Sequence, residues 1–416
     1  MSKNVLVIGG GIIGVCSAYY LQKEGHQVTI IDKSDFKTGA SYVNAGYITP
    51  SHIISLASPG IITQGIKWMF NSSSPFYVKP RLDADFLKWT WAFKKSATAK
   101  KVASSIPVIK DINLLSRDLY EEIKATNDFN FKYERKGLMM YYQTDKVGAH
   151  EWELGKKALR EGLHAELLTS MDAIRKYEPT ADLNVKGAVY FDCDAHMTPS
   201  DFMSEMVAYL KSKGVQIFAN EAVKEIEVKN QVISKIHTDK GVYAADEVVM
   251  AAGSWSPLMT KKLGIKIPIQ AGKGYCINVE RETNITVPSI LCEAKVAVTP
   301  MTGFTRFAGT MEIDKINHRI NPLRVAAIAN AATNFYNGLE IHQAEKEAAE
   351  CGLRPCSPDG LPYIGRSLKC ANLTIAAGHA MMGWSLGPAT GKFVSQIISN
   401  KKPSIDLLPF HPDRKF

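Results

Sequence analysis

Three glycines, Gly9, Gly11 and Gly14, stand in the spacing G-x-G-x-x-G within VLVIGGGIIG, and an aspartate, Asp32, follows eighteen residues after the last of them. That set can hold a dinucleotide. A glycine at position 9 permits a tight turn, one at 11 lets backbone approach a pyrophosphate, and one at 14 lets a helix pack close to a strand. The N–H groups of a helix beginning at Ile12 and Ile13 then face the phosphates with the positive end of the helix dipole. The Asp32 carboxylate closes a second strand, where it can accept hydrogen bonds from a ribose diol. NAD and FAD both use this fingerprint, so the glycines alone do not choose between them.

The elements around these residues have the order the fingerprint needs: a strand over 4–9, a helix over 12–24 and a strand over 28–32. Lys3 followed by an apolar run imitates an export signal, but Tyr19–Gly25 reads as a helix end and VTIID as a strand, with no cleavage site. Residues 34–52 read as a loop. Helical spacing is present at 102–126 and 151–178, with LMMYY (138–142) as a strand between them, and a further helix is expected at 199–213, capped by Thr198 or Ser200. Strands follow at VQIFAN, VKEIEV, VISKIHT, VVMAAG, YCINVE, VAVTP and FTRFAGTMEI; near the end, NLTIAAG reads as a buried strand and GPATGKFVSQIISN as a helix.

At 416 residues, 45% hydrophobic and 22% charged, the chain can build two lobes with separate cores. No apolar run reaches the roughly 18 residues that a spanning helix requires. The seven cysteines are scattered and lack a CxxC pair, which points to reduced thiols in a cytoplasmic compartment, with no disulfide framework and no metal site. The net charge of +9 is spread along the chain, so no nucleic-acid partner is expected. One segment stands apart: 66–101 interleaves Lys67, Lys88, Lys94 and Lys95 with Trp68, Phe70, Phe86, Trp89, Trp91 and Phe93. A helix with its aromatic face packed on the protein is the first expectation for it, and a peripheral membrane contact the second.

Three further stretches, SYVNAGYITP (41–50), GLRPCSPDGLPYIGR (352–366) and AAGHAMMGWSLGPATGK (376–392), resemble the D-amino-acid oxidase-like family of FAD-dependent oxidoreductases, nearest to its bacterial D-amino-acid dehydrogenase members. The resemblance implies FAD, bound non-covalently, and an α/β fold: a Rossmann-like FAD-binding domain of the glutathione-reductase type plus an α+β substrate domain with a mixed or antiparallel sheet. It assigns 1–55, 196–268 and 352–400 to the first domain, 56–195 and 269–351 to the second, and 401–416 to a tail. It places Gly9, Gly11, Gly14 and Asp32 at the adenosine-diphosphate end, with Lys33 beside the ribose and Val223 holding the adenine. Ser41, Asn44, Ala45 and Gly46 match the loop along the flavin, Gly253 with Ala252 and Trp255 the end of the middle strand, and Gly383, Trp384, Ser385 and Leu386 the segment facing the flavin's pyrimidine edge.

The implied reaction is removal of a hydride from Cα of an amino acid to flavin N5, giving an imino acid that hydrolyses to a 2-oxo acid. A D-amino acid is the expected substrate; D-proline or D-hydroxyproline, or a glycine- or sarcosine-type amine, is the alternative, and a flavoprotein acting on RNA the reading from another class. A quinone or electron carrier is the expected acceptor, with the chain cytoplasmic; peripheral contact with the inner face of the membrane is the second reading of the 66–101 segment. Arg354 in GLRP is the expected carboxylate anchor, since a planar guanidinium grips a carboxylate with two parallel hydrogen bonds. Tyr47, Tyr275 and Arg306 are expected to line the pocket and His379 to hydrogen-bond near the flavin. Tyr47 stands where the dehydrogenases usually carry glutamine, and VAVTP (296–300) has no tyrosine to match the second carboxylate ligand of glycine oxidase. Some relatives attach flavin through a cysteine; the matching position here is Gly352, with Cys351 one residue away on the other side of an extended segment. Acid precipitation of the yellow protein is therefore expected to release all its flavin into the supernatant, and colour retained in the pellet would contradict non-covalent binding.

Overall fold

The structure, a computed structural model, describes residues 1–60, 76–79 and 81–416. Lys67, Trp68 and Phe70 lie outside the described residues. A six-stranded sheet carries the glycine motif. Its order is Gln216–Phe218, Gln27–Ile31, Asn4–Ile8, Glu247–Met250, Leu373–Ala377 and Tyr363–Arg366, with only the last strand antiparallel to its neighbour. Its central strands are buried runs of Val, Ile, Leu and Met, as a parallel sheet covered on both faces requires. The first helix, Ile12–Lys23, and the closing helix, Gly387–Ile398, pack together on one face. Their closest point is glycine: a Cβ on Gly391 would lie 2.4 Å from the Cys16 carbonyl oxygen.

A second, mixed sheet runs in the order Glu350–Cys356, Gln270–Val279, Phe304–Asp314, Val296–Met301, Ser289–Leu291, Leu138–Tyr142, Gly187–Phe191 and Glu166–Leu168, with Phe76–Val78 pairing parallel to Phe304–Asp314. The helix Pro322–Phe335 packs its Val325, Ile328, Ala332 and Phe335 onto this sheet's core. Two three-stranded sheets complete the strands, one formed by Val223–Lys229, Val232–Thr238 and Val242–Tyr243, the other joining Tyr47–Ile48, Ala195–Met197 and Tyr133–Glu134.

Several sequence expectations change. The helix expected over 151–178 is instead Asp145–Arg160, a strand Glu166–Leu168 and a short helix Met171–Arg175, because Gly162 at φ +80° stops the first helix. Thr198 stands at the N-cap of Pro199–Ser212 but gives its hydroxyl to Thr302 rather than to the helix. The strand Glu350–Cys356 belongs to the large sheet, so residues 352–356 sit there and not on the six-stranded one. The long helix Ala99–Ala125, assigned by resemblance to the substrate lobe, buries Tyr120 beside Trp384 and packs along the closing helix. In the aromatic segment, the helix Ala84–Ser96 buries Phe86, Trp89 and Phe93, whereas Trp91 is 60% exposed with the Lys94 and Lys95 ammonium groups over its ring.

The glycine contact between the two helices gives a direct test. Gly391→Ala should lower the urea midpoint, because overpacking costs about 1–3 kcal/mol against the roughly 1 kcal/mol that alanine gains in helix propensity. An unchanged midpoint would show that the helices are not held at that separation.

Candidate active site

One cavity of about 1410 Å³ runs between the two large sheets, past the glycine turn and on to the face of the second sheet. That exceeds the ~300–1000 Å³ of an ordinary small-molecule site, leaving room for a dinucleotide and a substrate together. Gly9, Gly11, Ile12, Ile13, Asp32 and Lys33 line one end with Val223, Ala252, Gly253 and Trp255. Ser41, Asn44, Ala45, Tyr47, Tyr275, Arg354, His379, Gly383, Trp384 and Ser385 line the other parts.

The glycine turn is built from close backbone contacts. Gly9 has φ +111°, and a Cβ on Gly14 would fall 1.8 Å from the Gly9 carbonyl oxygen. Gly14 therefore does not line the cavity; it lets the helix start where it does. Two N–H groups of this turn are occupied, one of them, that of Ile12, expected to be free. Asp32 Oδ2 accepts the Gly10 N–H at 2.6 Å, and Ser41 Oγ accepts the Ile12 N–H at 2.9 Å. Asp32 Oδ1 also accepts the Ser34 N–H and hydroxyl, each at 2.6 Å. Three bonds leave about one of a carboxylate's four lone-pair sites for a ribose hydroxyl. At the rim, the Lys33 ammonium sits 3.3 Å from the centre of the Trp255 ring, and His318 stacks on the same indole.

The loop from Ser41 to Gly46 is tied down from below. Arg306, expected in the pocket, instead lies behind this loop and donates from Nη1 to the carbonyls of Tyr42 (2.8 Å) and Asn44 (2.7 Å), and from Nε to Asn278 Oδ1 (2.9 Å). Thr299 Oγ1 donates to the Ala45 carbonyl at 2.7 Å. Gly46, at φ +75°, is outside the cavity lining because it turns the chain against the Met197 carbonyl. Tyr47 keeps its ring at the cavity, but its hydroxyl lies between the carbonyls of Ser289 (2.6 Å) and Val298 (2.8 Å), and burial holds it protonated. It is a clamp on the sheet. Tyr275 donates to Glu312 Oε2 at 3.1 Å, and Glu312 also pairs with Lys273 at 3.4 Å.

On the opposite wall, Leu386 is buried as the N-cap of the closing helix and does not line the cavity. Ser385 Oγ accepts the Thr49 N–H at 3.1 Å and donates to Asn113 Oδ1 at 2.6 Å, so the entry to this helix is braced from two sides. His379 is buried, with Nε2 at 3.0 Å from Thr390 Oγ1, and burial pushes its pKa down to about 3, so the ring is neutral. Arg354 stands differently. Its Nη1 donates to the Thr310 carbonyl at 2.9 Å, and among the described residues no carboxylate pairs with it; burial lowers its pKa without an acid to offset the effect.

Reading the sequence missed His52, Ser51, Asp194, Thr310 and Gly274. His52 lines the cavity, and its Nδ1 lies 3.2 Å from Ser51 Oγ, which donates to the buried Asp194 Oδ2 at 2.5 Å; the Ser51 N–H reaches Oδ1 at 3.0 Å. Burial and the Lys295 charge push His52 down to about 4. Only the glycine of AGKGY carried a signal, since glycine inside a strand marks close approach by another group.

The residues fit FAD. The first helix has no acidic side chain in its first turn, so its dipole is free to meet a pyrophosphate. The Trp384 indole N–H is buried in the cavity wall with no hydrogen-bond partner among the described residues. Gly352 leaves no place for a flavin-bonding side chain, as a Cβ there would meet Val43 Cγ2 at 2.8 Å, and Cys351 Sγ lies instead at 3.5 Å from the His318 carbonyl.

The sequence matches the DAO family, described as FAD dependent oxidoreductase, over residues 4–397. It is 30% identical over 400 residues to a D-amino acid dehydrogenase of Helicobacter pylori, covering 95% of each chain. It is likewise 30% identical over 417 residues to a D-amino acid dehydrogenase of Azorhizobium caulinodans, covering 97% of each. Glycine oxidase from Geobacillus kaustophilus shares the fold with a TM-score of 0.77 at 22% identity, over 100% of this chain and 99% of that one. L-proline dehydrogenase from P. horikoshii does so with a TM-score of 0.73 at 19% identity, over 99% and 97%.

Asp194 gives this wall a pH signature. Burial raises its carboxyl to about 7, from an ordinary value near 4. The folded state thus holds the proton more tightly, and the stability this contributes is present below about pH 4 and lost as pH rises through about 7. Asp194→Asn cannot titrate, so urea melts should show the variant gaining on wild type between about pH 4 and pH 8. A constant difference across that range would contradict the assignment.

Proposed function

The chain belongs to the DAO family of FAD dependent oxidoreductases, and from that footing we propose that it oxidises D-amino acids at Cα, with Arg354 holding the substrate carboxylate. The observation that carries this reading is the Arg354 guanidinium: it lines the cavity, has one carbonyl partner and lacks an acid. A charge in that position needs an anion, and a planar fork matches a carboxylate. The two relatives named D-amino acid dehydrogenase support the substrate class.

FAD, when bound, would supply the acceptor for the two electrons and the hydrogen that leave Cα as hydride. The chain supplies position and field. Arg354 orients the carboxylate and thereby Cα, while Arg306 and Thr299 keep the Ser41–Gly46 loop at a fixed distance from the sheet that carries Arg354. The closing helix, with no acid in its first turn, directs its positive end toward the pocket and stabilises negative charge there. His379 stays neutral and adds no charge of its own. The imino acid product hydrolyses in water to a 2-oxo acid and ammonia.

For the acceptor we favour a quinone or an electron carrier. The relatives' names as dehydrogenases support this, as does the surface of the helix Ala84–Ser96. There Trp91 and Leu87 are 60% and 50% exposed beside Lys94 and Lys95, an arrangement suited to peripheral contact with the inner face of an anionic membrane by a cytoplasmic chain. Among the described residues no helix is long and apolar enough to cross a membrane.

Anaerobic mixing with a panel of D- and L-amino acids should bleach the flavin with D-amino acids, and a quinone analogue should restore the colour faster than O2. Arg354→Ala should keep FAD and lose roughly ten- to over a hundred-fold in kcat/KM, the cost of a charge-assisted contact. Arg354→Lys should recover part of it. Unaltered flavin reduction in Arg354→Ala would remove Arg354 as the anchor.

A further inference from the structure

Arg354 reaches its position through a defect in the large sheet. The strands Gln270–Val279 and Phe304–Asp314 pair Lys273 with Glu312 and Tyr275 with Gly309, so the single residue Gly274 faces two, Thr310 and Met311. That is a β-bulge, the device that re-aims a backbone group beside a site. Thr310 takes the extra turn at φ +62°, a conformation costly for a β-branched residue, and its buried hydroxyl finds no partner among the described residues. This conformation presents the Thr310 carbonyl to Arg354 Nη1, which donates to it at 2.9 Å. Across the bulge, a Cβ on Gly274 would sit 2.1 Å from Arg354 Nη1 and 2.5 Å from Cζ and Nη2. The guanidinium occupies the space of the missing side chain.

We propose that Gly274 and Thr310 are positioning residues for substrate carboxylate: Gly274 provides the berth in which the Arg354 guanidinium lies, and the bulged Thr310 carbonyl fixes its rotation, leaving the other N–H groups for the ligand. This rests on the reading of Arg354 as the anchor. A glycine in a regular strand would be a liability through its entropy and lost packing, and a threonine at positive φ a strained choice. Their coincidence at one guanidinium gives both a common cause.

The test is a titration of the flavin-loaded protein with propionate, a carboxylate that cannot be oxidised by hydride loss from an amine-bearing carbon, read as a perturbation of the flavin spectrum. Gly274→Ala should weaken propionate binding roughly ten- to a hundred-fold with FAD content retained, since the added methyl displaces a charged donor. Thr310→Gly, which keeps the backbone conformation, should bind propionate as wild type does; Thr310→Pro, whose ring fixes φ near −65°, should not. A double-mutant cycle identifies the route of action: in an Arg354→Ala background, Gly274→Ala should cost nothing further. Additive losses, or wild-type propionate affinity in Gly274→Ala while Arg354→Ala has lost it, would overturn this proposal and leave the anchor standing. Wild-type affinity in Arg354→Ala would overturn the anchor itself.

Discussion

A guanidinium held in a cavity without an acid is the constraint around which the site is arranged. A charge withdrawn from water costs several kcal/mol unless something compensates it. Here the protein supplies one backbone carbonyl, that of Thr310, and no carboxylate among the described residues. Structural arginines in the same chain are treated otherwise: Arg414 is paired with Asp359 and Arg366 with Glu247, and Arg306 spends its donors on three acceptors. Arg354 alone of these four keeps donor capacity facing the cavity. In the proposed reading, the anion that completes it is the substrate carboxylate.

Everything that this anion must meet is fixed relative to Arg354 by bonds crossing between the sheets. The Ser41–Gly46 loop is fastened to the glycine turn through Ser41 and to the large sheet through Arg306, Thr299 and Tyr47. Its continuation is fastened to the closing helix through Thr49 and Ser385. A dinucleotide lying along the first helix is thereby registered against the strand that carries Arg354, although the two stand on different sheets. In this arrangement the Tyr47 hydroxyl and Arg306 Nη1 act by holding backbone carbonyls in place.

Local patterns made the fold readable. The opening strand, helix and strand, the Glu247–Met250 strand and the closing helix appear in the sequence as apolar runs bounded by glycine, and each is present within two or three residues of its expected ends. Expectation failed where a distant partner decides the outcome. Thr198 looks like a cap until Thr302 takes its hydroxyl, and Arg306 looks like a pocket residue until the carbonyls opposite it are placed; Tyr47 does line the cavity, but its hydroxyl is spent on the sheet. Thr310 gives no sign at all, because a bulge belongs to a pair of strands and not to either one. Gly274 was legible in kind, as a strand glycine with something close against it, while the identity of that neighbour depended on a strand some eighty residues away.

The measurement that bears most directly on the unpaired guanidinium needs only the wild-type enzyme and a pair of substrates. Anaerobic stopped-flow reduction of the bound flavin is compared for a D-amino acid and for the matching amine that lacks the carboxylate. If Arg354 waits for a carboxylate, the amino acid reduces the flavin and the amine does so slower by two orders of magnitude or about that, the combined loss of a charge-assisted pair and of Cα alignment. Equal rates for the two would contradict the account.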